Sequence, residues 1–156
     1  MLDVPVDAWY TWLGLAAASV AVFGVAAALP MTPPPDAAGV AGTVDRVASA
    51  EYTATAEHPL DADAVRLGRR QIGLRNDAGT THATFAFGPV TPVPRGTALS
   101  DVLYGASPGH VYDSGAAFRK ALRDARNRRP RWIESDGPLV VRRLRVGGDD
   151  VTLVGA

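Results

Sequence analysis

The sequence begins with a long stretch that carries no acidic, basic or histidine side chain, between Asp7 and Asp36. Of these 28 residues, the segment 12–29 contains one hydroxyl side chain and is otherwise apolar. A helix of the 21 residues from Trp9 to Leu29 would rise about 31 Å, close to the roughly 30 Å hydrocarbon core of a bilayer. The sequence therefore predicts an N-terminal transmembrane anchor over residues 1–30.

Aromatic residues and a proline define the limits of this predicted span. Trp9 and Trp12 stand at its start, where amphipathic rings favour the headgroup layer of the membrane. Phe23 lies inside the apolar run, and Pro30 ends it because proline cannot continue a helix. We therefore expect Trp9, Trp12 and Phe23 to contact membrane lipid.

Two alternatives compete with an uncleaved anchor. A cleaved secretory signal has a basic leader and a shorter apolar core, whereas this leader contains Asp3 and Asp7. A buried helix of a soluble protein is the third possibility. The small residues Gly14, Ala18 and Gly24 lack strict GxxxG spacing, which favours a lipid-facing helix over a helix–helix contact.

The orientation of the anchor depends on Lys and Arg near its ends. The first such residue is Arg46, so the positive-inside rule gives little guidance. Single N-terminal anchors commonly carry the following domain across the membrane. We expect a single-pass protein of the cell membrane with its domain outside the cell.

A proline-rich spacer, residues 31–36, is predicted to separate the anchor from a domain over residues 37–156. Asp36 is suited to cap a helix that runs to about Ala50. In this helix Val40, Val44 and Val47 share one face. That apolar face can bind a partner or pack on a sheet, and packing is the favoured interpretation.

Alternating apolar residues predict several strands in the domain. One is expected over residues 52–57, and a hairpin is expected around the turn Asn76–Gly79. Residues Gly88–Gly96 contain three prolines, so they are expected to leave the sheet as an ordered loop. A final hairpin is predicted around the turn 147–150.

Two further helices complete the predicted fold, which is α+β with a small antiparallel sheet and two or three helices after the anchor. A short helix is expected over Leu99–Tyr104, capped by Ser100 or its neighbour. A longer helix is expected to start at Asp113 or Ser114 and to end before Pro130.

The neutral net charge hides a segregation of charge along the chain. Residues 1–113 hold 6 basic and 11 acidic side chains, a net of −5, whereas residues 114–156 hold 10 basic and 5 acidic, a net of +5. The arginines of the second part form the candidate interaction surface: Arg119, Arg123, Arg126, Arg129, Arg142, Arg143 and Arg145.

Three interpretations of these arginines remain open. They can pair with acidic groups of the same domain or form a solvated face. They can dock an acidic protein partner or anionic lipid headgroups. Nucleic acid is the least favoured partner, because no known nucleic-acid-binding motif or set of stacking aromatic residues accompanies them.

The sequence carries no recognisable catalytic or metal-binding motif. It has no cysteine, which removes thiol chemistry and disulfides. His58, His82 and His110 are 24 and 28 residues apart, unlike the spacing of local metal motifs. We expect a non-enzymatic protein with no catalytic residue, no bound metal and no cofactor.

Four segments of the chain are similar to a known family: Asp7–Gly14, Gln71–Ala83, Phe87–Val93 and Val151–Ala156. They resemble an uncharacterised haloarchaeal family of single-span membrane proteins. Members of this kind tend to be encoded near type IV pilus or type II secretion-like ATPases and membrane platform proteins. The resemblance implies an accessory role in a pilus-like or secretion assembly, with protein partners. It assigns no catalytic residue.

Two features depart from what the resemblance suggests. Haloarchaeal proteins usually carry an acidic excess, and this chain is neutral. A pilin subunit would have a basic leader and a helix that continues beyond the membrane, whereas this leader is acidic and prolines follow the span. A fixed accessory component is therefore favoured over a polymerising pilin. The alternative function is a cell-surface ligand-binding or sensor domain, with Gly88–Gly96 as its candidate binding loop.

Overall fold

The computed structural model describes residues 6–27 and 32–156, and the chain divides into two compact units, Met1–Pro33 and Pro34–Ala156. The first unit contains helix α1, Val6–Ala27. Among the helices in these two ranges, none is both long and apolar enough to cross a membrane. The end of the predicted span and the start of the predicted spacer, residues 28–31, lie outside the described residues.

The second unit opens with the predicted helix, here α2, Ala37–Ala48. Asp36 caps it as expected, because its Oδ1 accepts a hydrogen bond of 2.8 Å from the amide of Gly39. Val40, Val44 and Val47 are buried. They pack in one apolar cluster with side chains of the strands described below, which agrees with the packing interpretation of this face.

The strands of the second unit form two four-stranded sheets. The first sheet has the order β1-β7-β8-β5, and the second has the order β4-β3-β2-β6. All pairings are antiparallel except that of β5 with β8, which is parallel. The strands are β1 Ala54–His58, β2 Ala64–Leu67, β3 Gln71–Asn76, β4 Gly79–Thr84, β5 Thr91–Pro92, β6 Trp132–Glu134, β7 Leu139–Val146 and β8 Asp149–Gly155.

Both predicted hairpins are present. The β3–β4 turn is held by Asn76, whose Oδ1 accepts a hydrogen bond of 2.9 Å from the amide of Ala78. The β7–β8 turn contains Gly147 and Gly148 with φ of 63° and 91°. Because L side chains rarely adopt positive φ, two glycines suit this tight turn.

The predicted loop Gly88–Gly96 does not leave the sheet entirely. Thr91–Pro92 forms β5 and pairs with Leu153 and Val154 of β8. Proline is tolerated there because β5 is an edge strand. Tyr52, which the alternation placed in a strand, also lies outside the sheet: it precedes β1 and is exposed.

The helices differ in number and in one cap from the prediction. Helices α3 Ala98–Leu103, α4 Pro108–Val111 and α5 Gly115–Asn127 follow β5, so the described part of the second unit has four helices instead of two or three. Ser100 is not the cap of α3, because the helix begins after Thr97. The hydroxyl of Ser100 instead donates to the carbonyl of Thr97 inside the first turn.

The prediction of one antiparallel sheet was wrong because two strands give no periodic signal. Strand β2 has four residues, and both Ala64 and Val65 are buried; strand β6 has three residues. Neither shows an apolar alternation long enough to detect. These two strands pair with each other and complete the second sheet.

Two apolar clusters form the core. The first joins α2 to both sheets, and the second joins the first sheet to α3 and α5. Strand β7 contributes to both, with Leu139 and Val141 in the first cluster and Val140 and Leu144 in the second. Because strand side chains alternate between faces, neighbouring arginines on β7 point to different clusters.

Candidate interaction surface

Helix α5 positions the first group of predicted arginines. The hydroxyl of Ser114 accepts a hydrogen bond of 3.2 Å from the amide of Ala117 and so caps the helix. Phe118 is buried on the side that faces the first sheet. Arg119 and Arg123 are exposed, and neither makes a hydrogen bond or ion pair with any residue in the described ranges.

Arg126, the third predicted interaction residue on α5, is half-buried, unlike Arg119 and Arg123. Its Nε donates a hydrogen bond of 2.7 Å to Oγ1 of Thr91, a fully buried residue of β5. Burial, and to a smaller extent the charge of Arg69, lowers the pKa of Arg126. Arg126 therefore links α5 to the edge of the first sheet.

Arg142 and Arg143 bind the C-terminal ends of two helices on opposite faces of β7. Arg142 donates through Nη1 to the carbonyl of Val102, in the last turn of α3, and, at 3.1 Å, to that of Ala106 in the loop after α3. Arg143 donates through Nη1 to the carbonyl of Ala48, the last residue of α2. Carbonyls at a helix C-terminus lack intrahelical partners and carry partial negative charge, so both arginines stabilise the fold.

Arg145 and Arg143 share the carboxylate of Asp150 across the β7–β8 hairpin. Nε of Arg145 lies 3.0 Å from Oδ1 of Asp150, and Nη2 of Arg143 lies 2.7 Å from Oδ2. The hydrogen bond from Arg145 is the main reason that the pKa of Asp150 is lowered, and the charges of both arginines add to it.

The predicted surface therefore divides into inward and outward members. Arg126, Arg142 and Arg143 are bonded within the domain, and Arg145 is paired at the surface. The remaining predicted members are exposed and have no side-chain hydrogen bond or ion pair to the rest of the described chain: Arg119, Arg123 and Arg129.

A shallow groove of about 300 Å³ runs along one side of α5. Arg119, Arg123 and Arg126 line it together with two acidic residues of the β7–β8 hairpin, Asp149 and Asp150. Because positive and negative side chains face each other here, the groove has a mixed charge that does not select one sign of partner.

A larger cleft of about 880 Å³ lies at the C-terminal end of α5. We call it the edge cleft, because its walls include residues of β6 and β5, the edge strands of the second and first sheets. Its lining residues are Val65, Leu67, Pro92, Val93, Pro94, Arg95, Ala125, Arg128, Arg129, Pro130, Arg131, Ile133, Glu134, Asp136 and Ala156.

Arg95 lies on one side of the edge cleft and bonds to three partners there. Its Nη1 forms an ion pair with Asp136, its Nη2 donates to the carbonyl of Glu134 at 2.9 Å, and its Nε donates to the carbonyl of Ala156 at 2.6 Å. These bonds tie the segment after β5 to β6. They also neutralise one acidic group of the lining.

Three further arginines line the edge cleft without such partners. Arg128, Arg129 and Arg131 are exposed, and within the described ranges their side chains make no hydrogen bond or ion pair. Of the acidic lining residues, Asp136 is held by Arg95, which leaves the Glu134 side chain as the remaining negative group. The cleft is therefore net positive.

The sequence predicted Arg129 as an interaction residue but did not predict the cleft that surrounds it. The run Arg128–Arg131 is visible in the sequence as a basic cluster. The apolar side chains beneath it, such as Val65 and Ile133, come from β2 and β6. Since those strands are too short to be predicted, nothing in the sequence indicates that they lie beside the arginines.

The histidines lie on three separate elements. Nδ1 of His58, on β1, is 2.8 Å from Oγ1 of Thr43 on α2. The ring of His82, on β4, contacts that of Trp132 edge-on, with centroids 6.2 Å apart. His110 is exposed on α4. Among the residues described, no three His, Asp or Glu side chains are grouped as metal ligands would be.

The predicted membrane-contacting residues lie on α1. Trp9, Trp12 and Phe23 are 62%, 71% and 75% exposed. Every other side chain described on this helix, over residues 9–25, is also exposed. Helix α1 thus presents large apolar side chains on its surface.

Comparison with known proteins places the chain by family. No curated protein and no solved structure matches it. A family model described as a family of unknown function, DUF7283, matches residues 3–144, a range that includes α1 and runs into β7. The chain belongs to the DUF7283 family.

Proposed function

We propose that this chain is a membrane-anchored, non-enzymatic interaction protein. The observation that carries the proposal is the exposure of α1, whose described side chains include Trp9, Trp12, Leu15 and Phe23 and are all in contact with solvent. Proteins in water rarely leave so large an apolar surface uncovered. A lipid bilayer would cover every face of such a helix.

The proposed span runs from Trp9 to Leu29, so that two of its residues lie beyond the described part of α1. Pro33, Pro34 and Pro35 follow it, and residues 32–36 are not helical. They suit a stiff spacer between the bilayer and a domain that begins with α2. We place that domain outside the cell.

We further propose that the domain is an accessory component of a pilus-like or secretion assembly. The resemblance to proteins encoded near such machines supports this role, and the exposed, unpaired arginines supply a surface for protein partners. The non-helical residues 32–36 favour a fixed component over a pilin, because a pilin helix continues from the membrane into its domain.

A second candidate is a ligand-binding or sensor domain at the cell surface. The edge cleft favours it, because its volume of about 880 Å³ falls in the usual range of small-molecule sites. Residues Pro92–Arg95 of the segment predicted as a binding loop form part of its wall.

Affinity purification of the tagged full chain from membranes, at the salt concentration of the native cells, tests the proposal. Partners are identified by mass spectrometry for the wild type and for a variant with Arg119, Arg123 and Arg129 changed to Glu. We expect pilus or secretion components with the wild type and their loss with the variant. Recovery of the wild-type chain alone, or of the same components with the variant, contradicts the proposed docking.

A further inference from the structure

We propose that the edge cleft binds an extended, acidic peptide segment of a partner protein, with an apolar side chain of that segment on the cleft floor. This inference rests on the proposed function as an interaction protein and names the chemistry of the partner. Three properties of the cleft carry it: its charge, its apolar floor and the outward backbone groups of β6 that Arg95 leaves open.

The charge of the cleft selects a negative partner. Arg128, Arg129 and Arg131 surround it without any side-chain hydrogen bond or ion pair to the described residues. Guanidinium groups bind carboxylates through paired hydrogen bonds, which gives both affinity and geometry. Glutamate or aspartate side chains of a partner supply those carboxylates.

The floor of the cleft offers apolar surface to the same partner. Leu67 of β2 is half-buried and Ile133 of β6 is 38% exposed, so both present apolar surface there, whereas Val65 and Val93 line the cleft but are buried. An exposed isoleucine beside unpaired arginines suits a partner whose acidic side chains alternate with apolar ones. An extended peptide has that alternation because successive side chains point to opposite sides.

The edge of β6 offers backbone groups to a peptide. The amide of Ser135 donates to the carbonyl of Asp63 at 2.9 Å, so odd-numbered residues of β6 direct their backbone groups to β2. The backbone N–H and C=O groups of Trp132 and Glu134 therefore point away from the sheet. Arg95 already binds one of these groups, the carbonyl of Glu134. The remaining groups can pair with an added strand.

The same properties separate a peptide from other anionic partners. Single-stranded nucleic acid needs aromatic rings for base stacking, and no aromatic side chain of the described chain lines the cleft. Lipid headgroups and small anions use the arginines but not the backbone edge of β6. A peptide uses the charge, the floor and the edge together.

Fluorescence anisotropy with the full chain in zwitterionic detergent tests the inference. The probe is a labelled synthetic peptide in which Glu alternates with Val, and its control has Lys in place of Glu. We expect the Glu peptide to bind, and its affinity to fall by about tenfold or more when Arg128, Arg129 and Arg131 are changed to Gln, since three rim charges are lost. The matched control, Arg46→Gln with Arg70→Gln, removes two exposed arginines that do not line the cleft and leaves the affinity unchanged.

Several results would overturn the inference. These are equal binding of the Glu peptide by the triple variant and the wild type, equal binding of the Lys peptide, or an unchanged affinity for a Glu peptide that is N-methylated along its backbone. Competition at equal strength by inorganic phosphate or short-chain phosphatidylglycerol would reassign the cleft to small anions or lipid headgroups.

The failure of this inference can be told from the failure of the proposed function. Membranes that contain the wild-type chain are extracted at alkaline pH alongside the binding measurement. A chain that stays in the membrane but binds no Glu peptide refutes only the edge cleft as a peptide site. A chain that leaves the membrane refutes the anchor, whatever the peptide does.

Discussion

Replacement of Arg142 by Met tests whether the arginines of β7 act inside the fold. Methionine keeps an unbranched apolar side chain in this half-buried position and removes the guanidinium. The carbonyls of Val102 and Ala106 then lose their bonds to Nη1. Val102 is fully buried, although its carbonyl keeps the amide of Gly105 at 3.2 Å as a partner.

The expected loss can be worked from these contacts. A hydrogen bond from a charged donor contributes about 1.5–3 kcal/mol. The two bonds share one nitrogen, and removal of the guanidinium also removes the cost of burying its charge. We therefore expect the free energy of unfolding to fall by about 2 kcal/mol, less than two independent bonds would give.

Urea unfolding of the full chain in mild detergent, followed by circular dichroism, measures this loss. With a slope of roughly 2 kcal/mol per molar urea, the midpoint should fall by about 1 M. The control is Arg123→Met, which removes an exposed arginine with no bond to the described residues and should change the stability by less than about 0.5 kcal/mol. Equal midpoints for the two variants would refute the internal role of Arg142.

Three further predictions use the same preparation. Gly39→Ala should lower the stability by about 0.5–2 kcal/mol, because its Cβ would lie 2.2 Å from the carboxylate that caps α2. The added Cβ of Gly42→Ala meets nothing within 4 Å, so this change should raise the stability by about 0.5–1 kcal/mol. Urea midpoints that move in the same direction for both variants contradict this expectation. The pKa of Asp150 lies below its ordinary value, so its ion pairs stabilise the fold above the unfolded pKa and are lost as the pH falls through the folded pKa. Arg145→Ala should therefore raise the pKa of Asp150 in a carboxyl NMR titration, and an unchanged value would show that Arg145 is not the main cause. Phe118→Ala opens the second core cluster at a side chain that is 1% exposed and should cost about 3–5 kcal/mol; a urea midpoint within error of the wild type would show that this cluster is not rigidly packed.

The sequence predicted elements whose pattern is long and whose ends are marked. Helices α2 and α5 each have an apolar face of helical period and a polar cap, Asp36 and Ser114. The two hairpins have turn residues between alternating strands. Strands β2 and β6 carry neither signal, because they are short and their burial depends on pairing with each other.

The arginines show a different limit of the sequence. Arg142 and Arg143 were grouped as one surface because they are adjacent. Strand geometry places neighbouring side chains on opposite faces, so they could have been separated in advance. Their partners, the carbonyls at the ends of α3 and α2, could not have been predicted, because those helix ends reach β7 only through the tertiary fold.

The edge cleft shows the same dependence on tertiary structure. The positive charge of the segment around Arg129 is evident in the sequence. Whether that charge can select a partner depends on the side chains that lie beside the segment in the fold. Ile133 and Leu67 supply an apolar floor only because β6 pairs with β2. A basic run over an apolar floor can select a partner, whereas the same run on a solvated face cannot.

The behaviour of α1 in cells tests the proposed membrane anchor most directly. Membranes from cells that express the full chain are extracted at alkaline pH, beside membranes from cells that express a variant without residues 1–30. If α1 anchors the chain, the full chain remains with the lipid after extraction and the variant is found in the soluble fraction. Release of the full chain by the extraction would contradict a membrane anchor.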